Sequence, residues 1–479
     1  MTITGRLRAL LARPALRRAA LFDAEWYLAS YPDLCPPGKP PSDPALHYLA
    51  HGATEGRDPG PLFSTSGYRL QGGPARGNPL LNHLSGAGGQ ALPVFAGTGA
   101  AASPGAPVVL FFGHQAQGQQ FGAERSLLTM LERAGRAGLA VELVLPHCQS
   151  ADYLNACRAR AQAVHLLPYP WRRAGVPPHP ATLAAMAALI RRSGAVEVHQ
   201  NTAVLDAPLV AARAAGVASV VHLRELPAED EALCTRLGLP AEALRQALLT
   251  QADRFVANSE AVARWLDPAG QMPQGRLAIL PNVVDPGLSA LPFAPADPPR
   301  VALISSNTAK KGIADMVATA RAFAALGGRA EFRFIGPASA DLAALGPLPS
   351  NLRHWGYAAT PVAALAEADV VLCLSHFAES FGRSVLEAMA AGRPVVTYDR
   401  GTPPALLAGS GAGLVVPADD PAAVARALGT LLSDPAALRA ASQAGRARAA
   451  VLAEAAAAVP DALIFAQALG NAHNLGGKS

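Results

Sequence analysis

Apolar positions follow two rhythms along this chain. From residue 107 onward, unbroken runs of Val, Ile, Leu and Phe alternate with helical stretches: VVLFFG, AVELVLP, AVHLLP, VEVHQ, SVVHLRE, RFVANS and LAILPN. Runs of this kind predict strands buried on both faces, and the helices between them predict a parallel sheet. LPFAPADPP (291–299) interrupts the series, and VALISSN, EFRFIG, LRHWGY, VVLCLS, PVVTYD and GLVVP then start it again. The pattern predicts an α/β chain with two doubly wound, Rossmann-like domains facing each other across a cleft, at 107–290 and 300–450. A C-terminal helix and tail follow at 451–479.

The second rhythm lies in residues 22–86, where FDAEWYLASYPDL and PALHYLAHG are echoed by FSTSGYRLQGG and NPLLNHLSG. Each unit has a Phe, an aromatic five residues on (Tyr27, Tyr68), and a Pro-led helix with His and Leu (His47, Leu49; His83, Leu84). This predicts a small helical repeat module in which a pair of helices per unit buries the aromatics, with the histidines packing rather than ligating metal. Gly, Ala and Pro dominate 87–106, which reads as a flexible linker. The basic segment 1–21 sets Leu7, Leu10 and Leu11 on one helical face with arginines largely elsewhere. That suits an anionic membrane surface, and a short solvated helix broken at Pro14 is the competing reading.

Composition narrows the class. The 479 residues exceed a single core, and 51% hydrophobic against 16% charged residues describes a well-packed globular chain. The net charge of +5 comes from dispersed arginines without a basic block or interleaved aromatics, so no nucleic-acid partner is expected. Cys35, Cys148, Cys157, Cys234 and Cys373 are odd in number and lack ligand spacing, which predicts a reducing compartment and no zinc site. There is no run of about 18 apolar residues to cross a bilayer, and the N-terminal arginines interrupt any signal-like apolar region. The expected location is the cytoplasm, with the basic N-terminus available for peripheral contact at the inner membrane face.

The chemistry concentrates in FAESFGRSVLEAMAAG (377–392). VVLCLS predicts a buried strand, HFAESFG the turn at its C-terminal end, and RSVLEAMAAG a helix closed by Gly392. Open α/β sheets bind ligands beyond that strand end. Glu387, among Val385, Leu386, Ala388 and Met389, is a carboxylate that needs hydrogen-bond donors, and two vicinal ribose hydroxyls supply them. The helix-opening amides around Phe381, Gly382, Arg383 and Ser384 suit phosphate. Together these describe a nucleotide diphosphate.

The context S-x-x-x-E-x-F-G-x-x-x-x-E-A-M-A-x-G-x-P-V-V (375–396) resembles the E-x(7)-E signature of retaining glycosyltransferases of family 4 type, which have the two-domain GT-B fold. The resemblance runs from about residue 107 to 440. It implies that Glu379 lies by the donor sugar and Glu387 holds the ribose. SSNTAKKGI (305–313) resembles the family's Arg-x(4)-Lys-Gly loop, whose cations grip the donor pyrophosphate. Lys311 and Gly312 match, Ser306 occupies the arginine position, and Lys310 and Arg383 are further cations for that task. In DRGTPP (399–404), Gly401 and Thr402 offer donor-binding amides, and Ala405 stands near the family's usual glutamate. GHQAQGQQFGAERSLLTML resembles the Gly-Gly-Ala-Glu loop, with Phe121 replacing a glycine and Gly122 left to approach the donor. Glu124 reads equally as a helix N-terminal charge.

On the acceptor side, VHQNTAVLDAPLVAARAAGVASVVHLREL (198–226) resembles the family pattern and supplies Asn201, His222, Arg224 and Glu225. His222 is expected as a catalytic contact to the transferring sugar, with Arg224 and Glu225 ordering each other, while Ser259 and Asn282 read as a cap and a turn. The N-terminal units resemble short repeats attached to bacterial glycosyltransferases, visible in HYLAHGATEGRDP. The resemblance implies transfer of a hexose from a UDP- or GDP-sugar to a glycan or lipid-linked acceptor with retention, without cofactor or metal. Two alternatives share the fold: a nucleotide-sugar epimerase, and a scaffold without catalysis, prompted by Ser306 and Ala405.

Overall fold

The computed structural model describes residues 14, 16, 19–35, 43–74, 76–86, 88–114 and 122–470. Every apolar run named above forms a strand. The first sheet holds β1 (Val94–Ala96), β2 (Val108–Phe112), β3 (Ala140–Leu145), β4 (Ala163–Leu166), β5 (Ala195–Gln200), β6 (Ala218–Leu223), β7 (Arg254–Ala257) and β8 (Leu277–Ile279). Its order is β1-β4-β3-β2-β5-β6-β7-β8, parallel except for β1. The second sheet holds β9 (Arg300–Ile304), β10 (Glu331–Ile335), β11 (Leu352–Gly356), β12 (Val370–Cys373), β13 (Val395–Tyr398) and β14 (Gly413–Val416), all parallel, in the order β11-β10-β9-β12-β13-β14.

Burial on both faces is why these strands carry no polar alternation. In β2, Val109 and Phe111 pack with Leu127 and Leu131 on one side, while Leu110 and Phe112 pack with Met186 and Ile190 on the other. Each sheet reverses its direction of growth once, between β2 and β5 and between β9 and β12. Loops diverge at such a switch point and leave a crevice outside the strand ends. The helices Gly122–Arg136, after β2, and Arg383–Ala390, after β12, both start at these crevices.

Part of the expected flexible linker is ordered. Val94–Ala96 adds an antiparallel edge strand to β4, and the ladder continues through Gly97 N to Gln162 O (2.7 Å) and Thr98 N to Arg158 O (2.8 Å). Backbone pairing with an exposed sheet edge overrides the Gly/Ala/Pro composition there. Before it, the helical module buries its aromatics as expected. Phe22 and Tyr27 lie 6.0 Å apart and Tyr27 and His47 6.1 Å; Phe63 and Tyr68 lie 5.7 Å apart and Tyr68 and His83 6.1 Å. The Tyr27 hydroxyl bonds His47 Nδ1 at 3.0 Å, so that histidine is a packing partner. The basic segment before residue 14 lies outside the described residues.

The chain ends by crossing back. After the helix Pro435–Ala457, residues Ile464, Phe465 and Ala468 enter the core of the first domain, all fully buried. Arg133 locks the crossing by bonding Asp461 Oδ1 (2.6 Å), Ala456 O (3.2 Å) and Val459 O. The described residues contain no helix long and apolar enough to cross a membrane. Phe465→Ala removes a ring packed 5.2 Å from His199. It is expected to cost about 3–5 kcal/mol of first-domain stability in denaturant titration; a loss below about 1 kcal/mol would mean the C-terminal segment does not dock.

Candidate active site

The turn after β12 places Glu379 at the switch point of the second sheet, and the loop after β9 brings Lys311 to it. Lys311 Nζ lies 2.7 Å from Glu379 Oε1, and the Ser375 hydroxyl donates to the same oxygen at 2.5 Å. Burial alone would push the Glu379 carboxyl up; the Lys311 charge and hydrogen bond, Ser375 and Lys310 outweigh it and hold the carboxyl below its ordinary value. Burial likewise opposes the Lys311 ammonium, and Glu379 overcomes it, raising Lys311. The ammonium also lies 4.8 Å from the centre of the Phe377 ring.

Glu387 is 5% exposed within the helix Arg383–Ala390, and its partner comes from the other domain. Arg125 Nη1 donates to Glu387 Oε1 at 2.8 Å, and Arg383 Nη1 lies 3.7 Å from the same oxygen. Arg383 also donates to Ser126 Oγ (2.6 Å) and Val283 O (3.1 Å). Burial lowers its guanidinium to about 10, with Glu387 opposing and Arg125 adding to the shift.

Ser380, next to Glu379, ties the turn to the first domain. Its hydroxyl donates to Arg224 O (2.7 Å) and accepts from Asn258 Nδ2 (3.2 Å), while Ser259 Oγ donates to Ser380 O (2.6 Å). Lys310 reaches across to Asp230 Oδ2 at 2.8 Å. The cleft is thus closed by polar contacts on both sides of Glu379.

Three glycines make the close approaches possible. Gly312 (φ 75°), Gly382 (φ 84°) and Gly401 (φ 69°) have left-handed backbones, and a Cβ would meet Leu374 O at 2.0 Å, Pro403 Cγ at 2.9 Å and Glu379 N at 2.6 Å respectively. Thr402 supports the turn by donating from its amide to Glu379 O (3.1 Å) and from its hydroxyl to Ser380 O (3.1 Å). Phe381 packs into the core at 6% exposure, so from that position only backbone reaches the cleft. Ser384 follows Gly382 and Arg383 in the opening turn, whose amides precede the first helical hydrogen bond, Val385 N to Gly382 O. Ser306 Oγ faces Thr308 Oγ1 at 3.3 Å, a neutral pair where the resemblance implied a cation. Ala405 is exposed in the short helix Pro403–Leu407.

The first domain departs further from expectation. Phe121 lies outside the described residues; Gly122 opens its helix against Arg383, whose Cδ and Nε would lie 3.7 Å from a Cβ there. Glu124 is 5% exposed, with Oε1 3.3 Å from His114 Nε2. His222 is fully buried, its Nε2 3.0 Å from His199 Nδ1, and burial, reinforced by Arg224 and His199, drives its imidazole well below the usual value. Its ring packs 6.2 Å from that of Phe111 and 5.3 Å from that of His199. Asn201 is also fully buried and donates to Ala123 O (3.1 Å), tying the end of β5 to the helix Gly122–Arg136. Arg224 and Glu225 do not pair through their side chains. Glu225 accepts from Thr202 Oγ1, Ala203 N (3.1 Å) and Arg224 N (3.2 Å), whereas Arg224 Nη1 donates to Asn282 Oδ1 (3.3 Å).

Among the described residues, Asp315, His376 and Asp419 offer ligand atoms within 4.8 Å of one another. Asp315 already accepts from the Tyr398 hydroxyl (2.5 Å), and Asp419 is paired with Arg400.

Two facing Rossmann-like domains, with the C-terminal segment returning to the first and paired carboxylates at the cleft, define the GT-B architecture. The chain is similar to two glycosyltransferase families: residues 122–288 match Glycosyltransferase Family 4, and residues 298–434 match Glycosyl transferases group 1. Among solved structures, HepE of Anabaena in complex with UDP-glucose is 18% identical with a TM-score of 0.57, covering 73% of this chain and 98% of that one. Sucrose-phosphate synthase from Thermosynechococcus elongatus is 19% identical with a TM-score of 0.56, covering 77% and 100%. WaaG, a glycosyltransferase involved in lipopolysaccharide biosynthesis, is 16% identical with a TM-score of 0.54, covering 73% and 98%. No curated protein sequence matches the chain. The protein thus has the GT-B fold and is related to the family 4 and group 1 glycosyltransferases.

Sequence reasoning missed Arg125, Ser380, Asn258 and Asp230. Arg125 directly follows Glu124 in the quoted GAERS, but nothing local says that it pairs with a residue 262 positions away. The Glu379–Lys311 pair sets a pH window. Its stabilisation is full between the ordinary carboxylate and lysine values; it is lost as pH falls through the lowered Glu379 pKa or rises through the raised Lys311 pKa. In carbon-13 titrations, Glu379 is expected to ionise below the ordinary glutamate value, and at a higher pH in Lys311→Met, where burial is opposed only by Ser375 and Lys310. Unchanged titration in the variant would deny Lys311 its role.

Proposed function

We propose that the protein is a retaining, metal-independent glycosyltransferase that moves a hexose from a UDP- or GDP-sugar to a glycan or lipid-linked acceptor. One observation carries the reading: a single strand-turn-helix at the switch point bears both Glu379 and Glu387, each held by a cation, Lys311 and Arg125. The fold shared with HepE, whose structure holds UDP-glucose, supports the donor class.

In this reading Glu387 accepts from the ribose hydroxyls once Arg125 yields, and Glu379 lies against the donor sugar. The diphosphate meets the opening amides of the helix Arg383–Ala390, with Gly122 close above. Lys311 stabilises the charge that develops as the glycosidic bond breaks. Ser306 adds no charge, and Lys310 is held by Asp230, so Arg383 is the second cation. Retention places the acceptor hydroxyl on the face that the diphosphate leaves, in a cleft closed to water by the Ser380 contacts. Arg224, at the end of β6, is the acceptor-side cation.

The N-terminal module is a duplicated unit, supported by the matching Phe-Tyr-His ring distances in its two halves. The enzyme works in the cytoplasm, and segment 1–21 brings it to the inner membrane face when the acceptor is lipid-linked.

Glu379→Ala is expected to abolish transfer with the circular dichroism spectrum unchanged. Glu387→Ala is expected to weaken UDP or GDP binding about tenfold or more in calorimetry, as loss of hydrogen bonds to a charged group does. Full activity in Glu379→Ala would overturn the assignment, conversion of donor without acceptor would mark an epimerase, and failure to bind any nucleotide would mark a scaffold.

A further inference from the structure

A cavity of about 340 Å³ lies where the chain crosses between domains. One wall is the helix Gly122–Arg136, a second is the connection Leu280–Val283, and a third is the returning segment at Ala456–Asp461. Arg224 and Arg383 line it from opposite domains, and Arg133 and Arg136 line it along the helix. Asp461 is the one carboxylate in this lining, and it is already paired with Arg133 at 2.6 Å. Three guanidiniums therefore share a cavity without a lining counter-ion.

Two of them carry buried donors. Arg224 Nε and Nη2 and Arg383 Nε have no hydrogen-bond partner among the described residues. A buried guanidinium donor without an acceptor is costly, and two such cations near each other add repulsion. The repulsion is visible in Arg224, which burial and then the Arg383 charge lower to about 10. Neighbouring glutamates relieve it only in part: Glu225 is bonded by Thr202, Ala203 and the Arg224 amide, and Glu387, 3.7 Å from Arg383, is held closer by Arg125 at 2.8 Å.

We propose that this hinge cavity binds a small phosphate monoester, at a site that borders the nucleotide-sugar cleft and shares Arg224 and Arg383 with it. Guanidinium forks match phosphate oxygens in geometry and charge. The hydroxyls of Ser126 and Thr129 line the same wall, and Met130 and Leu280 offer apolar surface to a carbon skeleton. The volume exceeds the need of orthophosphate alone and falls in the range of small-ligand sites. An occupant drawn to Arg224 and Arg383 binds both domains at once. It therefore favours the closed arrangement and, by linkage, donor binding.

Calorimetry on the full chain with glycerol phosphate tests this, with and without saturating UDP. The expected result is one equivalent bound in both conditions. Thr129→Phe, which fills the cavity, and Arg136→Gln, which removes an exposed cation from its lining, are each expected to weaken glycerol phosphate about tenfold while leaving UDP binding intact in the absence of the ester. Absence of binding would overturn the proposal, as would loss of glycerol phosphate when UDP is bound, which would place the anion in the donor site. Unchanged affinity in both variants would overturn it as well. Because the ester is titrated without donor, the outcome is independent of whether the chain transfers sugar.

Discussion

Pairing of buried charge across the domain boundary is the constraint on which this structure depends. A carboxylate withdrawn from water costs several kcal/mol unless cations and donors replace its hydration. Glu387, 5% exposed, has its closest cation at 2.8 Å in Arg125 of the opposite domain, so its burial is affordable only when the domains meet. Glu379 solves the same problem within one domain, through Lys311 and Ser375. One glutamate is thereby fixed within its own domain, and the other is sensitive to domain position.

This division bears on how a nucleotide enters. The Ser380 contacts and the Lys310–Asp230 pair hold the turn closed beside Glu379, while Arg125 occupies Glu387, the carboxylate proposed for the ribose. On the proposed reading, nucleotide binding exchanges a charged partner for two hydroxyls, and part of the binding energy goes into releasing Arg125.

The hinge follows the same physics with the opposite sign. Arg133 bonds Asp461 and two carbonyls and so fixes the returning segment, while Arg224 and Arg383 are brought together with donors left unbonded.

Much was legible in the sequence because it is locally encoded. Strands buried on both faces must be unbroken apolar runs, and VVLFFG through GLVVP became β2 to β14. The turn FAESFG and the helix after it could be placed because a strand end, a glycine at φ 84° and an amphipathic helix are each written within a few residues. Composition misled where backbone pairing decides: Val94–Ala96 became an edge strand because β4 offered an open edge. Residue type alone did not place His222 and Asn201, since a polar residue at a strand end can point to the cleft or to the interior; here both are fully buried, His222 against Phe111 and His199, and Asn201 on Ala123 O. The sequence by itself thus determined the two sheets, the turn and the identity of its carboxylates, all products of short-range periodicity. The tertiary structure alone decided their partners, because Arg125 meets Glu387 and Arg224 meets Arg383 only after distant segments fold onto one another.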